Sequence, residues 1–123
     1  MKDSDSHWVL QIRQYCEDVL DALDVFGRDY SVFEDNIHFM NSVSMSIMQI
    51  GELAKRLSSA FVGSTKDYIP WDSIKSMRNY LSHEYAFMNK EIVWDTAING
   101  IPELMEFCDE ILSTLNDNEG DTL

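Results

Sequence analysis

Arg78, Asn79, His83 and Tyr85 stand together in the stretch RNYLSHEY, residues 78 to 85. Arginine is always charged and presents a planar fork of N–H donors that matches phosphate oxygens. Histidine gives or takes a proton near neutrality. Together they suit cleavage of RNA without a metal. A base removes the proton of a 2′-hydroxyl, the oxygen attacks the adjacent phosphorus, and an acid protonates the departing 5′-oxygen. A cation steadies the charge on the equatorial oxygens. That scheme needs two proton-transfer groups, and one copy of the stretch offers one histidine.

Helix geometry sets a condition on this reading. Arg78 and Tyr85 are seven residues apart and share a face, and Asn79 and His83, four apart, share another. Arg78 and His83 point roughly 140° away from each other at 100° per residue. Two arrangements bring them to one phosphate. The helix can end before His83 and let the imidazole swing back, or two copies of the stretch can meet. The second also supplies a second histidine. A plainer reading stands beside both: His83 answers a helix C-terminal dipole and Arg78 forms a surface ion pair.

Other chemistry finds less support. No carboxylate–histidine cluster has zinc-ligand spacing, and no glycine-rich phosphate loop occurs. His7 and His38 have no evident partners and read as solvated. The segment Gly51-Glu52-Leu-Ala-Lys-Arg-Leu reads as a helix turn with a small packing residue. Lys55 and Arg56 can line an approach for RNA, with Lys75 in the same basic segment. Cys16 and Cys108 lie far apart on apolar stripes with no metal spacing. Buried free thiols fit better than a disulfide.

The elements that must position these residues are helical. His7 to Phe26 carries apolar residues at steps of three and four, and Gly27 is a plausible stop. Ser31-Val-Phe-Glu34 has the form of a capping box. One helix is expected to run from it through Ile37, Met40, Val43, Ile47, Ile50, Ala54, Leu57 and Phe61. STKDYIP is a loop, and Pro70 suits a helix start. A short third helix carries Ile74, Met77 and Leu81 on one face and is expected to end near His83 to Tyr85. Asn89 can cap a fourth, with Val93, Ala97, Ile101, Leu104, Cys108 and Ile111 inward. Pro102 predicts a kink or a break within it. No strand-period segment or repeat stands out. The expectation is a single all-α domain, an antiparallel four-helix or five-helix up-down bundle, with residues 114–123 a flexible tail. Phe39, Met45, Met48, Phe87 and Trp94 fall off the main stripes. They point either to a homodimer or to an ordinary wide core.

Charge narrows the partners. The chain of 123 residues carries a net charge of −13, which argues against a general nucleic-acid binder. Between Leu53 and His83, however, Lys55, Arg56, Lys66, Lys75 and Arg78 face only Asp67 and Asp72. The residue pattern MKDSDSHW lacks an apolar signal core, and no run approaches a membrane span. A cytoplasmic protein without membrane contact is expected.

WDSIKSMRNYLSHEY resembles the Arg-x4-His-x-Tyr signature of the HepT-like toxins, members of the HEPN ribonuclease superfamily. The likeness extends to QIGELAKRLS, YIPW and VWDTAINGIPELMEFCDEIL, and so covers roughly residues 8 to 113. The resemblance implies a helical bundle that dimerises with its two motif helices facing each other in a cleft. It implies a metal-independent endoribonuclease, without cofactor, acting as the toxin of a toxin–antitoxin pair. Arg78 and His83 match the catalytic positions, and Asn79 matches the polar residue that supports them. Tyr85 matches the tyrosine that a minimal nucleotidyltransferase antitoxin adenylylates with ATP. Such a group would add negative charge beside the cleft and repel RNA. The competing reading is a non-catalytic module that holds a nucleotidyltransferase partner or a nucleotide, for which the acidity and spare apolar surface speak.

Overall fold

The computed structural model describes residues 3–121, with side chains through residue 115. Among them the chain is helical and has no strand. Helix α1 spans Asp3–Phe26, α2 Tyr30–Asp35, α3 Ile37–Ala54, α4 Ser59–Thr65 and α5 Trp71–Glu84. A 3-10 turn follows at Tyr85–Phe87, then α6 at Lys90–Asp95, a π turn at Thr96–Gly100 and α7 at Ile101–Asp121. The tail expected from residue 114 thus has helical backbone to Asp121, and its last two residues lie outside the described ones.

Four long segments pack as an antiparallel bundle: α1 lies between α3 and α7, and α3 lies between α1 and α5. Contacts near opposite ends fix the directions. Phe26 at the end of α1 stacks on Phe39 at the start of α3. Asp5 at the start of α1 meets Ser58 just past α3. Arg13 of α1 bonds Asp109 of α7 at 2.5 Å. The core holds Val9, Ile12, Cys16, Val19 and Leu23 of α1 against Val43, Ile47 and Ile50 of α3 and Ala97, Leu104 and Cys108. Both cysteines are free and buried, and desolvation pushes the Cys108 thiol up to about 12.

The expected single helix from Ser31 to Phe61 is three helices. Asp29, not Ser31, caps α2: its carboxylate accepts from Ser31 N at 2.9 Å and from Ser31 Oγ at 2.7 Å. A carboxylate is the stronger acceptor, so the serine becomes a donor to it rather than a cap. Asn36 then interrupts the apolar stripe by accepting from the backbone N–H groups of His38 and Phe39, starting α3 in a new direction. Ser58 makes the third start by accepting from Phe61 N at 3.2 Å. These breaks put Ile37 on the surface and bring Phe33 and Phe39 into an aromatic cluster with Trp94.

Two prolines behave as the sequence predicts. Pro70 precedes α5, whose first residue Trp71 is buried and donates from Nε1 to Thr65 Oγ1 at 2.8 Å. Pro102 has no N–H to offer the carbonyl one turn back. The helix relaxes just before it into the π turn, where Ile101 N–H donates to Thr96 O, five residues back. Asn89 caps α6 by accepting from Glu91 N and Ile92 N. Of the apolar residues off the stripes, Phe39 is buried and Met48 and Trp94 are half-buried, while Met45 and Phe87 stay exposed. His7 and His38 are both exposed, though His7 meets Gln11 at 3.0 Å.

Buried Asp5 accepts from Ser58 N at 2.7 Å and from Ser58 Oγ at 2.6 Å, so Ser58 serves both as a helix cap and as a donor to a buried carboxylate. Ser58→Ala is expected to lower stability in urea denaturation by about 1–3 kcal/mol. The exposed Ser42→Ala should stay within about 0.5 kcal/mol of the parent in the same experiment.

Candidate active site

Helix α5 and the turn after it carry the whole RNYLSHEY stretch. The helix is amphipathic: Trp71 and Leu81 are buried, Ile74 and Met77 are half-buried, and Ser76, Asn79, His83 and Glu84 face solvent. Its long packing partner is α3. Three contacts set the register, Arg78 on Glu52, Tyr85 on Asn41 and Met88 on Ser44. Tyr80 does structural work: its hydroxyl accepts from Asn89 N at 2.6 Å and closes the turn that leads into α6.

α5 runs as a regular α-helix to Glu84. One of the two sequence-derived routes to convergence is thereby closed, because the helix does not end before His83. Within one chain Arg78 and His83 point roughly 140° apart. Asn79 joins both sides: its Oδ1 accepts from Arg78 Nη1 at 3.1 Å, and it shares the His83 face of the helix.

Arg78 is held at both ends. A Cβ at Gly51 would overlap Arg78 Cβ, would lie 2.9 Å from Arg78 Cγ, and would lie 3.2 Å from the carbonyl oxygen of Ile74. Glycine therefore stands where α5 presses against α3, which sharpens the small-packing-residue reading of that position. At the tip, Arg78 Nη2 meets Glu52 Oε1 at 2.6 Å. Glu52 also attracts Lys55 Nζ at 3.8 Å. Lys75 sits one helical turn before Arg78 on the same flank and is half-buried. Arg56 is turned the other way, its guanidinium 4.9 Å from the Trp8 ring of α1. His83 is exposed and makes no hydrogen bond or ion pair among the described residues. Tyr85 is half-buried, its hydroxyl donates to Asn41 Oδ1, and desolvation raises its pKa.

Glu52 and Asn41 were not singled out as site residues in the sequence. With Met45 and Met48 they form a stripe at helical spacing, so only the packing of α3 on α5 reveals their contacts with Arg78 and Tyr85. A groove of about 390 Å³ opens on the other flank of α5, lined by Ile74, Met77, Leu104 and Phe107 with Glu103 and Glu106 at its rim. None of Arg78, Asn79, His83 and Tyr85 lines it. Among the described residues no group of three or more His, Cys, Asp and Glu is placed to hold a metal ion. Among the described residues no helix is long and apolar enough to cross a membrane.

Gly51→Ala forces the new methyl into the Arg78 stem, whose Cβ is fixed in place by the α5 backbone and cannot swing aside. The substitution is expected to cost about 1–3 kcal/mol in urea denaturation, the range for overpacking. Gly63→Ala, where a Cβ meets nothing within 4 Å, is the control and should cost no stability.

Comparison with known proteins follows the same segments. A family model described as "Ribonuclease HepT-like" matches residues 12–111, which include all of α3 and α5. The chain is 34% identical over 101 residues to "Putative RNase TTE0752" of Caldanaerobacter subterraneus subsp. tengcongensis, an overlap covering 82% of this chain and 88% of the relative. It is 29% identical over 82 residues to "Putative RNase MJ0127" of Methanocaldococcus jannaschii, covering 67% of each. "Putative RNase MJ0125" of the same organism is 26% identical over 110 residues, covering 89% of this chain and 92% of the relative. No solved structure matches. With Arg-x4-His on a regular helix, the motif tyrosine in the turn after it, a Gly-Glu helix packed alongside and the family match spanning all three, the chain belongs to the HepT-like ribonuclease family.

Proposed function

We propose that the protein is a metal-independent endoribonuclease whose working unit is a homodimer, and that it is the toxin of a toxin–antitoxin pair. The observation that carries the reading is the contrast on α5. Arg78 is anchored at root and tip, while His83 stands exposed and has no partner among the described residues. An anchored cation suits charge stabilisation, since it needs no reorganisation during the reaction. A free imidazole suits proton transfer. The relatives' names as RNases agree with RNA as the substrate.

In this mechanism one His83 takes the proton of the 2′-hydroxyl. The 2′-oxygen attacks phosphorus, and the 5′-oxygen leaves with a proton from the His83 of the second subunit. Arg78 faces the non-bridging oxygens, Asn79 keeps its fork aligned, and Lys55 and Lys75 attract the neighbouring phosphates. Arg56 is a weaker candidate for RNA contact, because it stacks on Trp8. The products are a 2′,3′-cyclic phosphate and a 5′-hydroxyl. Exposed apolar surface beside the motif supports dimerisation: Phe87 is 88% exposed and Met45 57%.

Control falls to Tyr85. A minimal nucleotidyltransferase antitoxin would transfer AMP from ATP: the Tyr85 oxygen bonds to the α-phosphorus, pyrophosphate leaves, and the phenol proton passes to a base. A tyrosine hydroxyl is protonated at neutral pH, burial raises the Tyr85 pKa further, and the partner supplies that base. Modification would break the Asn41 contact and add charge and bulk on the flank shared with Arg78.

Purified protein should cleave RNA in EDTA and leave cyclic-phosphate ends, and His83→Ala and Arg78→Ala should each lose about 10²–10⁴-fold in rate. Equal cleavage by parent and variants would refute the assignment. Sedimentation should give a dimer, with Phe87→Glu shifted toward monomer and correspondingly inactive. Co-expression with a neighbouring nucleotidyltransferase should add AMP to the intact protein by mass, and Tyr85→Phe should abolish the addition.

A further inference from the structure

Glu52 touches Arg78, yet the scheme above gives it no task. Its side chain is 38% exposed and that of Arg78 28%. An ion pair in that setting adds little to stability. What it does fix is direction. Arg78 would otherwise be a long chain with several free torsions. Instead the close approach at Gly51 holds its root, Asn79 takes Nη1 at 3.1 Å and Glu52 takes Nη2 at 2.6 Å. Of the guanidinium's five N–H groups, about three stay free for a ligand.

We propose that Glu52 is a positioning residue for the ribonuclease reaction, setting the direction in which Arg78 presents its free N–H groups to the scissile phosphate. The inference rests on the ribonuclease reading of the site. Lys55 completes the device. It lies 3.8 Å from the oxygen that Arg78 meets at 2.6 Å. The looser cation can turn to an adjacent phosphate while the tighter one keeps its place. Two cations about one carboxylate leave this flank net positive, so Glu52 orients the arginine without cancelling its attraction for RNA.

The test measures kcat and KM on one labelled RNA oligonucleotide for the parent, Glu52→Ala, Glu52→Gln, Arg78→Lys and the double variant Glu52→Ala/Arg78→Lys. Glu52→Ala should lower kcat about 10–100-fold through misalignment. Its KM should hold or fall, because a negative charge has left the flank. Glu52→Gln, whose amide oxygen still accepts from Nη2, should recover most of kcat. On the Arg78→Lys background the Glu52→Ala change should matter less than about twofold, since it acts through the arginine. A structural role would lower the melting temperature and leave kcat, measured well below it, at the parent value. That result, or full additivity with Arg78→Lys, overturns the proposal.

Nitrogen-15 NMR of the Arg78 guanidinium gives a second readout, without RNA. Slow rotation about Nε–Cζ in the parent and fast rotation in Glu52→Ala support the clamp, and fast rotation already in the parent overturns it. If parent and His83→Ala cleave equally poorly, the ribonuclease reading fails. The NMR comparison then still decides whether Glu52 holds Arg78.

Discussion

Beneath Arg78, helix α3 offers a hydrogen atom where any other residue would offer a carbon. The geometry of α5 depends on that closeness. Arg78 rests its stem over Gly51, and the two helices run antiparallel from there to the Tyr85–Asn41 and Met88–Ser44 contacts. Because close-packed interiors transmit small shifts, a methyl group at this crossing would be felt along the helix. α5 has one long neighbour, so α3 sets where the motif points, while the groove toward α7 leaves its other flank open.

Electrostatics work with this geometry. The chain is strongly acidic, and its cations are not scattered evenly. Lys55, Lys75 and Arg78 gather along one flank of α3 and α5, while Arg56 is drawn off to Trp8. An acidic body repels polyanions, and that flank is where the repulsion is weakest. Attraction between exposed charges is screened by salt, so the contrast between this flank and the rest of the surface fades as ionic strength rises.

The neighbours of the motif divide by environment. Tyr80 is tied into the backbone at Asn89, and Tyr85 is half-buried against Asn41, so both are held in place. Among the described residues His83 is held by nothing but its helix. That division follows from the amphipathic period of α5: positions on the inner face acquire partners from α3, and positions more than about a third of a turn away meet solvent. A regular helix through His83 also means that one chain presents its guanidinium and its imidazole in different directions.

Much of the architecture could be read from residue order. Periodic apolar spacing gave the bundle, Pro70 the start of α5, Asn89 the cap of α6, and Pro102 the disturbance that appears as a π turn, because each of these is a local backbone effect. The long helix from Ser31 to Phe61 could not be divided by pattern. Its apolar stripe continues across Asn36 and Ser58, and which polar side chain turns back to cap is decided by the packing that follows. The motif's spacing determined that Arg78 and His83 could not meet on one regular helix. Only the tertiary structure decided that the helix stays regular to Glu84, that Gly51 lies under Arg78 and that Glu52 grips its tip. The last two facts join residues more than twenty positions apart, and contact between separate helices is fixed by how their surfaces interlock, not by either segment alone.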